Sequence, residues 1–347
     1  MQKINAALCS FGMSGWVFHA PFIHAHNGFN LYGVYERSKD LAAEKYPSIK
    51  TYRSLDAMLA DENIDLVVVN TPNATHYEFA KKALQAGKHI IVEKPFTIDI
   101  NEGEELVALA KQQNKIVSVY HNRRWDSDFL TVKKVVDNAM LGDVVEAEIH
   151  FDRFKEELSP KTHKETPGPG TGALYDLGSH LIDQAIQLFG MPEAVFGDIA
   201  IMRPVSKVDD YFEVIFYYPS KRVRLKGTYV ARETVPSYII HGSKGSFLKS
   251  RADVQETSLQ AFKIPGGNDW GIEPETEKGL LHTEYKGKII KENITTEKGN
   301  YMNYYDSVYN AITKNIQPVV TAEDGLNVIK IIKAAFTSNE EKRIVRL

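Results

Sequence analysis

The sequence predicts an α/β protein in two parts, a parallel sheet of βαβ units followed by an α+β domain on a mostly antiparallel open sheet. Three observations carry that expectation. Residues 1–120 alternate short apolar runs with stretches of helical periodicity, the pattern of strands joined by crossover helices. From residue 194 to 296 the chain reads mainly as successive strands separated by tight turns, as an antiparallel sheet does. At 347 residues the chain is long enough for two cores, and the change of texture places the domains at 1–120 and 121–347.

In the first part, Ile4–Cys9, Leu31–Tyr35, Leu66–Asn70, His89–Val92 and Ile116–Tyr120 read as strands. Gly15–His26, Lys39–Lys45, Ser54–Ala60, Thr75–Ala86 and Ile100–Gln113 read as the helices between and after them. In the fourth helix, Asn73-Ala74-Thr75 can start the turn, Tyr77, Ala80 and Leu84 run through it, and Gly87 ends it.

The second part opens with a helix near Phe129–Asn138 and a strand at Val144–Phe151. A loop rich in Pro, Gly and Lys follows from Leu158 to Gly172, then the helix Tyr175–Phe189. Val195–Ile201, Tyr211–Tyr218, Arg222–Val230, Tyr238–His241, Gly245–Lys249 and Gly287–Asn293 read as strands. Tyr218-Pro219-Ser220 and Pro265-Gly266-Gly267-Asn268 supply turns. Met302–Lys314 and Thr321–Thr337 read as helices that pack back on the sheet and on the first domain. Thr321 and Asp324 stand at capping-box positions, with Asp shorter than the preferred Glu or Gln.

Composition narrows the function classes. Apolar residues at 43% and charged residues at 25% are ordinary for a globular protein. A formal charge of −3 argues against a nucleic-acid partner. Lys221-Arg222-Val223-Arg224 alternates along a strand and reads as a solvated sheet face. Cys9 is the single cysteine, which excludes an internal disulfide and a multi-cysteine metal site; within its apolar run it reads as a buried small hydrophobe. No apolar run approaches the ~18 residues of a membrane span, and Gly12 and Gly15 interrupt the N-terminus before a signal-like stretch can form. The expectation is a cytoplasmic protein with no membrane partner.

Ser10-Phe11-Gly12-Met13-Ser14-Gly15 follows the first strand and opens a helix, an S-x-G-x-x-G string. Gly12 lets the backbone approach a pyrophosphate, Gly15 lets the helix pack close to the strand, and the helix N-terminus favours negative charge. Serine stands where the fingerprint has its first glycine, which alters the phosphate turn without excluding binding. Glu36 follows the second strand twenty-one residues after Gly15, where an acid accepts ribose hydroxyls. These features predict a Rossmann domain that binds a dinucleotide. Glu36 repels a 2′-phosphate and tips the choice slightly to NAD; Arg37, Ser38 and Lys39 can surround that phosphate and keep NADP open. Thr71, Pro72 and Asn73 form the turn after the third strand, facing the ligand crevice of such a fold. Thr71 and Asn73 can contact ribose or nicotinamide, or simply make a turn and cap. His76 can approach the cofactor or sit as a packed histidine.

Together with Glu93-Lys94-Pro95, Asn122-Arg123-Arg124 and Gly172-x-x-x-Asp176-x-Gly178-x-His180-x-x-Asp183, the dinucleotide-binding half resembles the Gfo/Idh/MocA oxidoreductases, and the resemblance covers essentially the full length of the chain. The longer strings Tyr120–Phe129 and Leu174–Gln184 resemble the family's scyllo-inositol dehydrogenase-like branch. The resemblance implies hydride transfer between NAD(P) and a secondary hydroxyl or ketone of a cyclic polyol or sugar, with scyllo-inositol one candidate. It also implies a cis Lys94-Pro95 bond and a homodimer or larger homo-oligomer paired through the C-terminal sheet. Lys94 matches the family's active-site lysine, Asp176 its substrate-orienting aspartate and His180 its catalytic histidine.

The residues support that chemistry on their own terms. Asp176 and His180 are four apart, so a helix puts them on one face. His180 can accept the hydroxyl proton near neutral pH. Lys94 can hydrogen-bond the same oxygen, and Asp176 can fix the imidazole or hold a neighbouring hydroxyl. Glu93, Lys94, Asn122 and Arg123 are candidates for the cofactor side. Arg124, Trp125, Arg153, His163 and Tyr175 are candidates for substrate contact beside Lys94, Asp176 and His180, with core or hinge packing the alternative for Trp125 and Tyr175. Lys161 stands with Arg153 and His163, Asp183 can support the site one turn beyond His180, and Gly168–Gly172 makes the approach to the helix.

Other functions use similar residues. A metal-dependent hydrolase or lyase would draw on Asp176, His180, His121 and Glu93, but no compact ligand spacing supports it and Lys94 would repel a cation, so no metal is expected. A non-catalytic NAD(P) sensor or assembly protein would be expected to lack Lys94 or His180. A dehydrogenase for an open sugar, a dihydrodiol or a keto compound would differ only in the shape of its substrate site.

Overall fold

The computed structural model describes residues 3–160, 162–233 and 235–347, with Thr162, His163 and Tyr285 described by backbone alone. Lys161 and the side chain of His163, both named above, lie outside the described residues. The chain divides into two compact units. The first comprises Met1–Asn122, Val254–Trp270 and Asn300–Leu326; the second comprises Arg123–Asp253, Gly271–Gly299 and Asn327–Leu347.

The first unit is built on β1 (Ile4–Leu8), β2 (Phe29–Tyr35), β3 (Lys50–Tyr52), β4 (Leu66–Val69), β5 (His89–Val92) and β6 (Val117–Val119). All pairs are parallel, in the order β3-β2-β1-β4-β5-β6. The order reverses at the β1–β4 boundary, so the loops after these two strands open at the switch point where such sheets take ligands. Leu66, Val67, Val68 and Val69 are all buried, as a strand covered on both faces requires. The edge strand β3 was not among the strands read from sequence. It is three residues long, Lys-Thr-Tyr, and carries no apolar run. Cys9 is buried and free, and burial pushes its thiol up, as its reading as a small hydrophobe expects. From the later segments, the helix Met302–Lys314 brings Tyr305 flat against Phe22, ring centroids 5.4 Å apart, with Trp270 edge-on to Phe22 at 6.4 Å.

The second unit carries β7 (Val144–Asp152), β8 (Ala194–Ala200), β9 (Tyr211–Tyr217), β10 (Arg222–Thr228), β11 (Tyr238–Gly242), β12 (Gly245–Lys249), β13 (Gly279–Tyr285), β14 (Lys288–Ile294) and β15 (Val345–Arg346). Among the described residues they form one sheet, β14-β13-β12-β11-β7-β10-β9-β8-β15, antiparallel except for the parallel β7–β10 pair. Burial alternates along the strands: Phe212, Val214, Phe216, Val223, Leu225, Ala147 and Ile149 turn inward. The helices Ser127–Asp137 and Ser179–Phe189 pack on this sheet. Arg224 turns the other way and is more than a solvated charge, since Glu146, Glu148 and Glu213 all pair with it. β13 and β15 were missed by the sequence reading, as was the short helix Gln255–Gln260 of the first unit.

Two helix starts follow the sequence closely. Thr321 and Asp324 exchange the capping-box bonds, Thr321 N–H to Asp324 Oδ2 at 2.9 Å and Asp324 N–H to Thr321 Oγ1 at 3.1 Å. The expected helix Tyr175–Phe189 is a π-helical turn, Leu174–Gly178, continuing as the α-helix Ser179–Phe189. No helix among the described residues is long and apolar enough to cross a membrane.

Gly172 controls entry to that π-helical turn. Its φ is +97°, and a Cβ there would lie 1.8 Å from Asp209 Oδ1. The same carboxylate accepts the Leu174 N–H at 2.9 Å, while the Asp209 carbonyl accepts the Ala173 N–H at 2.8 Å. Burial raises the Asp209 carboxyl to about 6 against the pull of these backbone bonds. Gly172→Ala combines left-handed strain with a displaced cap, so denaturant unfolding should show a loss of about 2 kcal/mol or more. A loss below the range of ordinary surface substitutions would show that the turn does not depend on this close approach.

Candidate active site

The cofactor half is assembled within the first unit by the loops that leave β1, β4 and β5. Ser10 follows β1 and makes three bonds with Asn70 after β4: Ser10 N–H to Oδ1 at 3.0 Å, Ser10 Oγ–H to the Asn70 carbonyl at 2.8 Å, and Asn70 Nδ2–H to the Ser10 carbonyl at 2.9 Å. The residue in place of the first glycine therefore ties two strand ends together. Asn70 was missed as a site residue; only its pairing with Ser10 reveals it. Gly15 is required by the same contact, since a Cβ would come within 2.5 Å of the Ser10 carbonyl oxygen. Gly12 is different. A Cβ there would meet nothing within 4 Å, which leaves the open approach a pyrophosphate needs. Phe11 is buried edge-on to Tyr46, and Met13 is half-buried. The residues present thus fit a dinucleotide.

Just past β2, Glu36 is buried and its Oε2 accepts the Ala42 N–H at 3.0 Å, which fixes the carboxylate there. Arg37, Ser38 and Lys39 are exposed beside it. Arg53 braces this loop through the carbonyls of Glu36 and Lys39 and a fork onto Asp40.

Glu93 stands just past β5. Its Oε1 accepts from Ser14 Oγ and lies 3.0 Å from His19 Nε2, while Oε2 accepts the Lys94 N–H at 3.1 Å. Ser14 and His19 are five residues apart. In an α-helix they would point about 140° away from each other; the π-helical turn Ser14–His19 brings both to the same carboxylate. His19 is fully buried, with its Nδ1 2.9 Å from Tyr305 Oη. It was absent from the sequence-derived set because no α-helical spacing links it to Ser14. Burial works to raise the Glu93 pKa, but the bonds from His19 and Ser14 and the nearby charges prevail and hold it at about 2. Lys94 is half-buried, and the Lys94-Pro95 bond is cis.

His76 is enclosed on the other side of this loop. Its Nδ1 lies 2.8 Å from the Pro95 carbonyl and its Nε2 2.9 Å from the Thr71 carbonyl. Burial lowers its pKa, although both carbonyls favour the cation. The neutral ring carries one N–H, so it donates to one carbonyl at a time. Both nitrogens face backbone, which makes His76 a bridge between two loops. Thr71 and Asn73 are half-buried, Pro72 is exposed, and Thr75 Oγ1 lies 2.8 Å from both Thr71 Oγ1 and the Pro72 carbonyl oxygen.

The second unit holds the other candidates. Asp176 lies in the π-helical turn and His180 just beyond, buried in the first turn of the α-helix. Lys164 Nζ meets Asp176 Oδ1 at 2.8 Å, a partner the sequence reading did not assign. Arg124, expected at substrate, is buried and grips Asp183 with a fork, Nε to Oδ2 at 2.9 Å and Nη2 to Oδ1 at 2.6 Å. That pair fixes the helix one turn after His180. Tyr175, also expected at substrate, is buried and stacked on Phe336 at 5.7 Å. Arg123 pairs with Asp126 at 3.2 Å, Arg153 lies over the Phe151 ring, and Trp125 is half-buried. Asn122, which closes the first unit, is buried. Among the described residues no group of three or more His, Cys, Asp or Glu side chains is arranged to hold a metal ion.

Residues 4–121 match the NAD-binding Rossmann fold of the Gfo/Idh/MocA oxidoreductases, and residues 133–347 match the family's C-terminal α/β domain. The chain is 36% identical over its full length to the scyllo-inositol 2-dehydrogenase (NADP(+)) of Bacillus subtilis, covering 97% of that protein. It is 38% identical over 98% of both chains to the uncharacterized oxidoreductase YdgJ of Escherichia coli. The solved structure of an oxidoreductase from Bacillus cereus superposes with a TM-score of 0.92 at 32% identity, covering 99% of each chain. A motif-bearing loop after each of three parallel strands, a helix carrying Asp176 and His180, and family matches to both parts lead to one conclusion: the chain belongs to the Gfo/Idh/MocA family and is an oxidoreductase with a nicotinamide-cofactor domain.

Proposed function

We propose that this oxidoreductase interconverts a secondary hydroxyl and a ketone on a cyclic polyol or sugar, with scyllo-inositol among the candidates. The observation that carries the reading is the full-length similarity to a protein named as a scyllo-inositol 2-dehydrogenase. The geometry of each half supports it. A bound nicotinamide supplies the hydride acceptor. The open approach at Gly12, the fixed Glu36 carboxylate and the turn Thr71–Asn73 are the groups assigned to hold it, with Asn122 and Arg123 further along the chain.

In this assignment His180 takes the hydroxyl proton as the carbinol is oxidised. Its burial limits competition from water. Lys94 donates to the same oxygen and stabilises the developing negative charge, with its backbone held by Glu93. Asp176 accepts from a neighbouring hydroxyl in place of Lys164, whose side chain is 40% exposed and therefore free to exchange. Arg124, Asp183, Tyr175 and His76 hold these groups in position, while Trp125 and Arg153 are assigned to the substrate. A homo-oligomer paired through the second unit's sheet is proposed as well.

Nicotinamide absorbance should change when inositols, inososes, aldoses and their ketones are screened with NAD and NADP in turn. Lys94→Ala and His180→Ala should each lower kcat by about 10²- to 10⁴-fold. Cofactor binding without turnover anywhere in the panel would sink the polyol reading. Cofactor choice turns on two neighbours: Glu36 supports NAD, whereas exposed Arg37 and Lys39 and the NADP-named relative support NADP. A slight preference for NAD is proposed. Glu36→Ala should move the NADP/NAD ratio of kcat/KM upward by about tenfold, a factor matching one lost charge repulsion; an unchanged ratio removes Glu36 from the ribose.

The folded Glu93 pKa lies below its unfolded value, so its stabilisation is complete above pH 4.5 and is lost as pH falls through 2. The difference amounts to about 3 kcal/mol. Glu93→Gln should reduce stability at neutral pH by an amount of that order and flatten the acid limb of the stability curve. An unchanged acid limb would mean that other carboxylates control it.

A further inference from the structure

One place in the second unit gathers positive charge around an aromatic ring. Phe151 lies near the end of β7, and three guanidinium groups approach its ring: Arg251 at 4.6 Å, Arg153 at 4.7 Å and Arg123 at 5.4 Å from the centroid. Phe151 and Arg153 are two apart on extended chain and so share a face, whereas Asp152 between them is turned to His150 at 3.2 Å. A ring attracts cations but accepts few of their hydrogen bonds, and each guanidinium carries five N–H groups in a fixed fork.

The carboxylates beside Asp126 are engaged by other donors: Asp128 accepts from Tyr238 Oη and the backbone N–H groups of Ala252 and Asp253, and Asp253 accepts from the Ser127 N–H. Asp126 is fully buried and lies 3.2 Å from Arg123 Nη1 but 3.8 Å from Arg251 Nη1. Burial above all pushes the Asp126 carboxyl well above the usual carboxylate range, which weakens it as a counter-charge. Arg251 is 12% exposed, and its Nε and Nη1 have no hydrogen-bond partner among the described residues. Its Nη2 has only long contacts, 3.5 Å to the His150 carbonyl and 3.4 Å to Gln184 Oε1. Arg153 is half-buried and makes no ion pair among the described residues. Buried guanidinium N–H groups left in this condition are destabilising unless an anion meets them.

We infer that Arg153 and Arg251, with Arg123 beside them, form an anion subsite that receives a carboxylate or phosphate carried by the substrate. The inference rests on the proposed hydride-transfer reading and narrows its substrate class from neutral polyols to sugar acids or sugar phosphates. Its place relative to the chemistry comes from Gln184, which donates from Nε2 to the Arg123 carbonyl at 3.1 Å and also faces Arg251. Gln184 follows His180 by four residues, a rise of about 6 Å along the helix. The anionic group would therefore lie a few carbons from the oxidised carbinol. A carboxylate or phosphate can take two parallel N–H bonds from one guanidinium, which a neutral hydroxyl cannot.

The test uses the full chain, with D-glucuronate, D-glucose 6-phosphate and D-glucose compared by kcat/KM under both cofactors. One acid should exceed glucose by about tenfold or more, and which acid does so separates carboxylate from phosphate recognition. The acid-to-neutral ratio should fall toward one in Arg251→Gln and in Arg153→Gln, the latter chosen because a half-buried position tolerates the change. Turnover of glucose or an inositol with neither acid preferred would overturn the subsite and leave the hydride-transfer reading standing. If cofactor binds but no sugar is turned over, the hydride-transfer reading falls, and calorimetric titration with glucuronate and inorganic phosphate decides the subsite. Binding by the wild type that is lost in Arg153→Gln upholds it; no binding by the wild type overturns it.

Discussion

The Glu93 carboxylate joins stretches of the first unit that are remote in sequence: the helical turn after the glycine loop, through Ser14 and His19, and the chain leaving β5, through the Lys94 N–H. A buried carboxylate is costly unless its lone pairs are met. Here donors meet both oxygens, so the turn and the strand end are held in one relative position. His76 acts from the other side by bridging the Pro95 and Thr71 carbonyls. Lys94 and Pro95 are thus clamped between a carboxylate and an imidazole, neither of which has to react. The clamp also explains the π-helical geometry, because an ordinary α-helix would turn either Ser14 or His19 away from Glu93.

The second unit solves the same problem with different groups. Asp209 fixes the start of the helix through the Leu174 N–H, and Arg124 fixes it beyond His180 by gripping Asp183. Two anchors on either side of Asp176 and His180 limit rotation of the segment that carries them. Beneath it runs a buried polar network. Lys249 meets Glu273 at 2.6 Å, Ser127 donates from its hydroxyl to Glu273 and from its N–H to Asp253, and Tyr238 Oη lies 3.1 Å from both Asp128 and Gln184. Such networks stabilise only when their members find partners. Beside this network the Nε and Nη1 groups of Arg251 have no hydrogen-bond partner among the described residues.

What could be read from sequence follows the range of the interaction involved. Leu66–Val69 was legible because a buried parallel strand is a continuous apolar run, and the Thr321–Asp324 cap because its partners are three residues apart. β3 was not legible, since three polar residues at an edge carry no periodicity; nor was β15, which has only two residues. Site motifs behaved in the same way. Gly12, Gly15, Glu36 and Lys94 announce themselves by spacing from a strand. His19 does not, because five-residue spacing signals nothing until the helix is known to be wide. Asn70 and Asp209 act on partners 60 and 35 residues away. Arg124 and Tyr175 have the residue types of substrate contacts, and sequence spacing does not show that an aspartate 59 residues on and the Phe336 ring engage them.

This division bears on how the family motif relates to substrate choice. In the proposed assignment Lys94, Asp176 and His180 handle proton and charge at one carbon, and any secondary alcohol presents that carbon in nearly the same form. Discrimination among alcohols must come from groups that meet the rest of the molecule, and it is strongest where buried donors go unpaired with the wrong ligand. Arg153 and Arg251 are such donors, drawn from two separate stretches of the second unit and brought together by Phe151. Their convergence depends on the register that pairs β7 with β11 and β11 with β12, which fixes Phe151 relative to the chain leaving β12. Reaction type is therefore a local property of this sequence, whereas substrate class is a property of its sheet.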